Sequence, residues 1–296
     1  MAPVTRQGKA YACALATVAL WSTVASAFKL TLRHLTPPEL LLYSSLASCL
    51  ALAGILAAQG RLSLLRTAGR RDWLAAARLG FLNPFLYYLV LFWAYDLLPA
   101  QEAQPLNYTW AVTLSLLAAP LLGQKLRAAD LLALLTSYAG VVVISTRGDL
   151  AGLSFASPLG VGLALGSTVI WALYWVLNTR DARDPVAGLL QNFLFGTLFV
   201  LAANLALGLR VPDWRGLAGA AYVGVFEMGL TFALWLTALK LTESAARVAN
   251  LIFLSPLVSL FLINALVGET ILPSTYWGLG LILMGQAVQR LAPSRV

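Results

Sequence analysis

Charge is what this chain has least of. Asp, Glu, Lys and Arg make up 11% of its 296 residues, against about a quarter in an ordinary soluble domain. That deficit excludes a soluble globular protein, and 60% hydrophobic residues with 10% aromatics exclude a disordered one. A single histidine, His34, excludes an H-E-x-x-H metalloprotease and a histidine-based metal cluster. The phosphate-binding pattern G-x-x-x-x-G-K-[ST] and the nucleophile pattern G-x-S-x-G are both missing. Neither an arginine ladder nor a filter-like glycine loop occurs, which argues against a voltage sensor and an ion channel. No cofactor, no metal and no enzymatic activity are expected. The two cysteines, Cys13 and Cys49, lie in apolar stretches and read as packing residues rather than a disulfide.

Apolar sequence is abundant instead, with a mean hydropathy of +0.80. A membrane helix needs about 20 apolar residues. Runs of that kind are predicted near 9–32, 39–58, 75–96, 101–120, 130–147, 158–178, 186–207, 216–239, 244–266 and 274–291. They are continuous rather than alternating, which favours helices over a transmembrane barrel. The expected fold is therefore an all-α membrane protein of ten transmembrane helices. Arg6 and Lys9 precede the first run, and Ala25-Ser26-Ala27 resembles a signal-peptidase site. The run is long for a signal peptide and nine more follow, so it reads as an uncleaved first helix.

Orientation follows from loop charge. With the N-terminus inside, fourteen Lys and Arg residues face the cytoplasm and four, Arg33, Arg147, Arg210 and Arg215, face outward. Both termini are expected in the cytoplasm. The net charge of +8 is then a set of topology anchors facing anionic headgroups, and no nucleic-acid partner is expected.

The chain repeats itself at an offset of 145: Gly123 and Gly140 recur as Gly268 and Gly285, and Gln124 answers to Glu269. Trp21 with Pro37 answers loosely to Trp171 with Pro185. Residues 1–148 and 149–296 each hold five spans, and an odd number inverts the second half relative to the first. Inverted repeats are the usual build of secondary transporters, with a substrate site near the bilayer midplane.

Candidate site residues come from depth. Trp73, Trp93, Trp214, Trp235 and Trp277 fall near span ends and read as interface residues. Trp21, Trp110 and Trp171 fall near span centres, where an indole N–H wants a partner. Asn83 and Tyr87 are four apart, Asn107 and Trp110 three apart, and Trp171 and Tyr174 three apart, so each pair shares a helix face. Tyr108 and Asn250 are also inside spans. For each residue taken singly, helix packing or an interhelical hydrogen bond is the competing explanation. Glu227 lies near the centre of the eighth span, where charge is costly. It could couple transport to protons, bind a cationic group, or be a protonated structural residue. Lys29 can snorkel outward, and Arg247 follows Glu243 in the favourable order for an intrahelical pair. Pro105 and Pro256, in the fourth and ninth spans, remove backbone donors and are candidate gating bends; a static kink is the alternative.

Several motifs carry a resemblance. Ala19-Leu20-Trp21-Ser22 with Lys29 and Pro37-Pro38 resembles the opening of an EamA-type repeat of the drug/metabolite transporter superfamily. Leu122-Gly123-Gln124-Lys125-Leu126 and Val267-Gly268-Glu269-Thr270 resemble the repeat ends. Leu106-Asn107-Tyr108-Thr109-Trp110, Phe226-Glu227-Met228-Gly229 and the stretch from Ser244 to Asn250 look like the aromatic amino acid exporters of that superfamily. The sequence departs from the family pattern at Leu41 to Ser44, at Ala111 and at Gln124. The resemblance implies ten helices, two inverted repeats, and export of small metabolites across the bacterial inner membrane.

The expected function is export of amino acids, aromatic and large neutral ones preferred, by alternating access. The expected site is Trp21, Asn83, Tyr87, Tyr108, Trp110, Trp171, Tyr174, Glu227 and Asn250. A nucleotide-sugar or drug transporter of the same superfamily is the first alternative, and would need cations for phosphate. A non-transporting receptor is the second, and would need larger loops. Oligomeric state is left open by the sequence.

Overall fold

The structure, a computed structural model, describes residues 6–122, 128–152, 155, 157–178, 180–208, 210–242 and 251–291. Those residues form helices and connecting turns, with no strand among them. Helices are numbered along the chain as α1 Arg6–Thr31, α2 Pro37–Ala58, α3 Ser63–Thr67, α4 Arg70–Gly80, α5 Tyr87–Leu97, α6 Ala100–Tyr108, α7 Trp110–Leu122, α8 Ala128–Ser145, α9 Pro158–Asn178, α10 Pro185–Leu207, α11 Trp214–Tyr222, α12 Thr231–Leu241, α13 Leu254–Leu262 and α14 Pro273–Leu291.

Among the described residues, seven helical stretches are long and apolar enough to cross a membrane. The predicted fourth, ninth and tenth spans are not among them. The fourth is broken at Thr109 into α6 and α7, and the ninth is described only as the short apolar stretch Leu254–Val267 behind a 3-10 turn, Leu251–Phe253. Asn250, Arg247, Glu243, Gly123 and Gln124 lie outside the described residues.

Helix starts follow from local chemistry. Pro37 and Pro38 open α2, where a missing N–H costs nothing. Glu39 accepts the Thr36 N–H at 2.9 Å and the Arg210 N–H at 3.3 Å. Asp184 caps α10 by accepting the Val186 and Ala187 N–H groups, both at 3.1 Å, and also bonds Arg61. Asp213 caps α11 through the Gly216 N–H at 2.7 Å.

Among the described residues, irregular helical segments occur at Phe81–Leu86, Val223–Leu230 and Ile263–Val267. Phe81–Leu86 joins α4 to α5, and Val223–Leu230 joins α11 to α12. In the first, Asn83 leaves the helical region (φ −145°, ψ 116°) and Pro84 supplies no N–H.

The helices form two compact units, one of Met1–Phe85 with Ala182–Val267, the other of Leu86–Asp181 with Gly268–Val296. Each draws helices from both sequence halves, so the packing units do not follow the expected division into 1–148 and 149–296. Within the first unit, α1 packs on α12 and α13, and α2 packs on α10 and α11. Within the second, α9 packs on α5 and α7, and α8 packs on α14. α8 and α14 meet at small residues: a Cβ on Gly278 would lie 2.6 Å from the Gly140 carbonyl oxygen, and one on Gly285 would lie 2.7 Å from that of Ala133. The offset of 145 carries the pair 140/278 onto the pair 285/133.

Candidate functional site

In the second unit, helix packing gathers aromatic and amide groups around Trp171. α9 presents Trp171, Tyr174 and Trp175 on one face, as the three- and four-residue spacing requires. Tyr87, at the start of α5, stacks on Trp171 with ring centroids 4.4 Å apart and planes 26° apart. Tyr174 stacks on Trp171 at 5.6 Å and 23°. Trp175 meets Trp171 edge-on at 5.7 Å. Such ring pairs are worth about 0.5–1.5 kcal/mol each beyond area burial. Tyr87, Trp171 and Tyr174 are all buried.

The break at Thr109 sits beside this stack. Thr109 is a turn residue between α6 and α7, four positions after the buried Pro105. Asn107 donates through Nδ2 to Ser167 Oγ of α9 at 3.0 Å, and its Oδ1 accepts from Tyr87 Oη at 3.5 Å. Thr113 and Thr168 share a hydroxyl contact at 3.1 Å. Gln286 of α14 donates to the Tyr108 carbonyl at 2.5 Å. Asn107, Tyr108 and Trp110 remain half-buried. The arrangement is a buried stack of three rings flanked by three partly accessible groups at a helix break.

The first unit carries the other candidates. Trp21 is half-buried against Phe232 at 6.1 Å and Trp235 at 5.8 Å. Trp235, which span position assigned to the interface, thus belongs to a ring cluster. Asn83 is completely buried, and neither of its amide atoms has a partner among the described residues. A buried amide without partners costs about 1–3 kcal/mol. Glu227 is half-buried on the π-type segment Val223–Leu230. Pro256 is buried near the start of α13. Nearby on the same unit, Thr23 and Tyr222 share a hydroxyl contact at 2.7 Å.

The structure therefore brings Tyr87, Trp171 and Tyr174 together, with Tyr108 and Trp110 flanking the adjacent break. Trp21, Asn83 and Glu227 sit in the other unit, and Asn250 lies outside the described residues. Residue spacing passes over Ser167 and Gln286, because each contributes through a partner distant in sequence. A glutamine in an apolar span is the one signal that could have found Gln286.

Comparison with known proteins agrees with this architecture. The model of the EamA-like transporter family matches residues 8–146 and 158–289. An uncharacterized transporter from Acidianus ambivalens is 30% identical over 208 residues, 68% of this chain and 78% of the relative. A protein named as the aromatic amino acid exporter YddG, from Ancylobacter novellus, is 30% identical over 226 residues, 74% of this chain and 75% of the relative. A solved structure 24% identical in sequence shares the fold with a TM-score of 0.67, covering 94% of this chain and 95% of that one. The chain is a multi-pass membrane protein, and it belongs to the EamA-like transporter family of membrane transporters.

Proposed function

We propose that this protein exports amino acids, aromatic and large neutral ones preferred, across a bacterial inner membrane by alternating access. The observation that carries the reading is the Tyr87–Trp171–Tyr174 stack with Asn107 bonded beside it. Aromatic faces bind aromatic or aliphatic side chains and attract an ammonium group. Tyr108, Trp110 and Asn107 keep accessible surface at the break, where a substrate can reach them. Asn83, with no partner for either amide atom among the described residues, suits a zwitterion. Glu227 suits the ammonium group or a coupled proton. Trp21 and Asn250 complete the proposed set, and Pro105 and Pro256 are the proposed bends. The 30% identity to a protein named as an aromatic amino acid exporter favours the same substrate class.

The proposed architecture is ten transmembrane helices in two inverted repeats, 1–148 and 149–296, with both termini cytoplasmic. Neighbour relations support it. Exchanging α1 with α9, α2 with α10, α4 with α11, α5 with α12 and α7 with α13 turns the packing pairs α1/α12, α1/α13 and α2/α11 into α9/α5, α9/α7 and α10/α4. The exchange of 140/278 with 285/133 obeys the same rule at residue level.

The test is uptake into proteoliposomes of labelled tryptophan, phenylalanine, threonine and a nucleotide sugar. Saturable tryptophan and phenylalanine transport is expected, with none of the nucleotide sugar. Nucleotide-sugar transport without amino acid transport would overturn the substrate assignment. Unchanged kinetics in Pro105→Ala and Pro256→Ala would remove the two bends from the mechanism.

A further inference from the structure

The start of α6 is held by charge. Glu269 accepts the Ala100 N–H at 2.8 Å and the Gln101 N–H at 3.1 Å. These are N–H groups that a helix start leaves without intrahelical partners, at the positive end of its dipole. Gln101 reaches back to the same segment. Its Nε2 donates to the Thr270 carbonyl at 2.9 Å, and its Oε1 accepts from the Leu272 N–H at 2.8 Å and Thr275 Oγ1 at 3.1 Å. One residue further on, Glu102 is 1% exposed, and its Oε1 accepts from Arg147 Nε at 2.9 Å. Arg147 holds a left-handed conformation, φ +54°, in the turn after α8. Three segments distant in sequence are thus joined by two carboxylates and one guanidinium, all inside the second unit.

The ion pair uses only half of the Glu102 carboxylate. No donor among the described residues reaches the buried Oε2. A buried acceptor left unmade is costly, and a carboxylate away from water is more so. A proton from solvent, added to Oε2, removes the cost of the buried charge and breaks no covalent bond. It also cancels the charge that holds Arg147.

We propose that Glu102 is a proton-binding site, and that its protonation releases Arg147 and loosens the start of α6. The charged groups that face it are Arg147 and Glu269. Among the helices packed on α6, α9 has no charged residue, the charge of α5 is the exposed Asp96, and Asp130 of α8 and Arg290 of α14 lie at the opposite ends of their helices. The loop residue Asp149 is exposed and bonds the Gly152 N–H. Asn107 follows Glu102 by five residues, about 8 Å along the helix. A proton there reaches the break at Thr109 mechanically. That last consequence rests on the proposed function, whereas proton binding at Glu102 does not.

Infrared difference spectroscopy between acidic and neutral pH, on the purified substrate-free protein, reads the carboxylic-acid C=O stretch. A band is expected on acidification that Glu102→Gln abolishes and Glu269→Gln retains. Identical spectra from the wild type and Glu102→Gln would overturn the proposal. Should Glu102→Gln fail to fold, hydrogen exchange on the wild type decides. Protection of residues 100–104, corrected for the intrinsic pH dependence of exchange, falls on acidification if the proposal holds and stays constant if it does not. Neither measurement needs a substrate, so a wrong substrate assignment leaves both standing.

Discussion

Gly140 and Gly278 bring α8 and α14 together backbone to backbone, with room for no side chain at either position. Overpacking such a contact costs about 1–3 kcal/mol. Gly278→Ala and Gly285→Ala are therefore expected to lower the melting temperature in detergent. Gly280→Ala is the control, because a Cβ there meets open space. Equal melting temperatures for all three variants would remove the close contact.

Trp171 is the middle ring of three. Trp171→Ala is expected to weaken tryptophan binding about tenfold, the equivalent of about 1.4 kcal/mol and within the range for lost ring pairs. Trp171→Phe keeps a stacking face and should recover most of the affinity. If Trp171→Ala, Trp21→Ala and Glu227→Gln all transported tryptophan at the wild-type rate with equal membrane levels, the substrate site would lie elsewhere.

Gln286 is expected to act through the break at Thr109. Gln286→Leu removes its donor to the part-buried Tyr108 carbonyl, at a cost of about 1 kcal/mol. Both thermal stability and substrate affinity should fall, since Asn107, Tyr108 and Trp110 surround that carbonyl. Gln286→Ala should behave like Gln286→Leu. A change in stability alone, with affinity intact, would separate the break from binding.

Asp213 links a helix start to pH. The Gly216 N–H it accepts, then the neighbouring His34 and Arg215, hold its carboxyl below the ordinary value of 3.8. His34 Nδ1 lies 2.9 Å from its Oδ2. A depressed carboxyl stabilises the fold above its unfolded value and loses that contribution as pH falls through the folded one. The melting-temperature gap between wild type and Asp213→Ala should hold from neutral pH down to about 3.8 and shrink below it. A gap that shrinks already near neutrality would contradict the assignment.

Much of the architecture is written in local sequence. Helix identity follows from continuous apolar runs, because lipid leaves the backbone no alternative to internal hydrogen bonding. Pro37 opens α2, and Asp184 and Asp213 cap α10 and α11, through contacts within a few residues. Asn83-Pro84 marks an interruption, since Pro84 has no donor to give. Other breaks were harder to see. Thr109 carries no breaking chemistry of its own, and the turn there is tied down by Gln286, 177 positions later.

The site divides in the same way. Spacing alone pairs Trp171 with Tyr174, because three residues return a helix to nearly the same face. It does not stack Tyr87 on Trp171, and it does not distinguish Trp235 as a ring partner of Trp21 from an interface residue. Nor does it join Glu269 to Ala100 or Arg147 to Glu102.

By itself, then, the sequence determined that this is a helical membrane protein, where most of its helices run, and which faces carry rings and amides. Those properties depend on neighbours within a few turns and on the solvent around them. Which rings touch, which carboxylate stays buried with an oxygen unused, and which glycines admit a second backbone were decided only by tertiary structure. Each depends on the approach of helices far apart along the chain, and no local pattern of residue types encodes that distance.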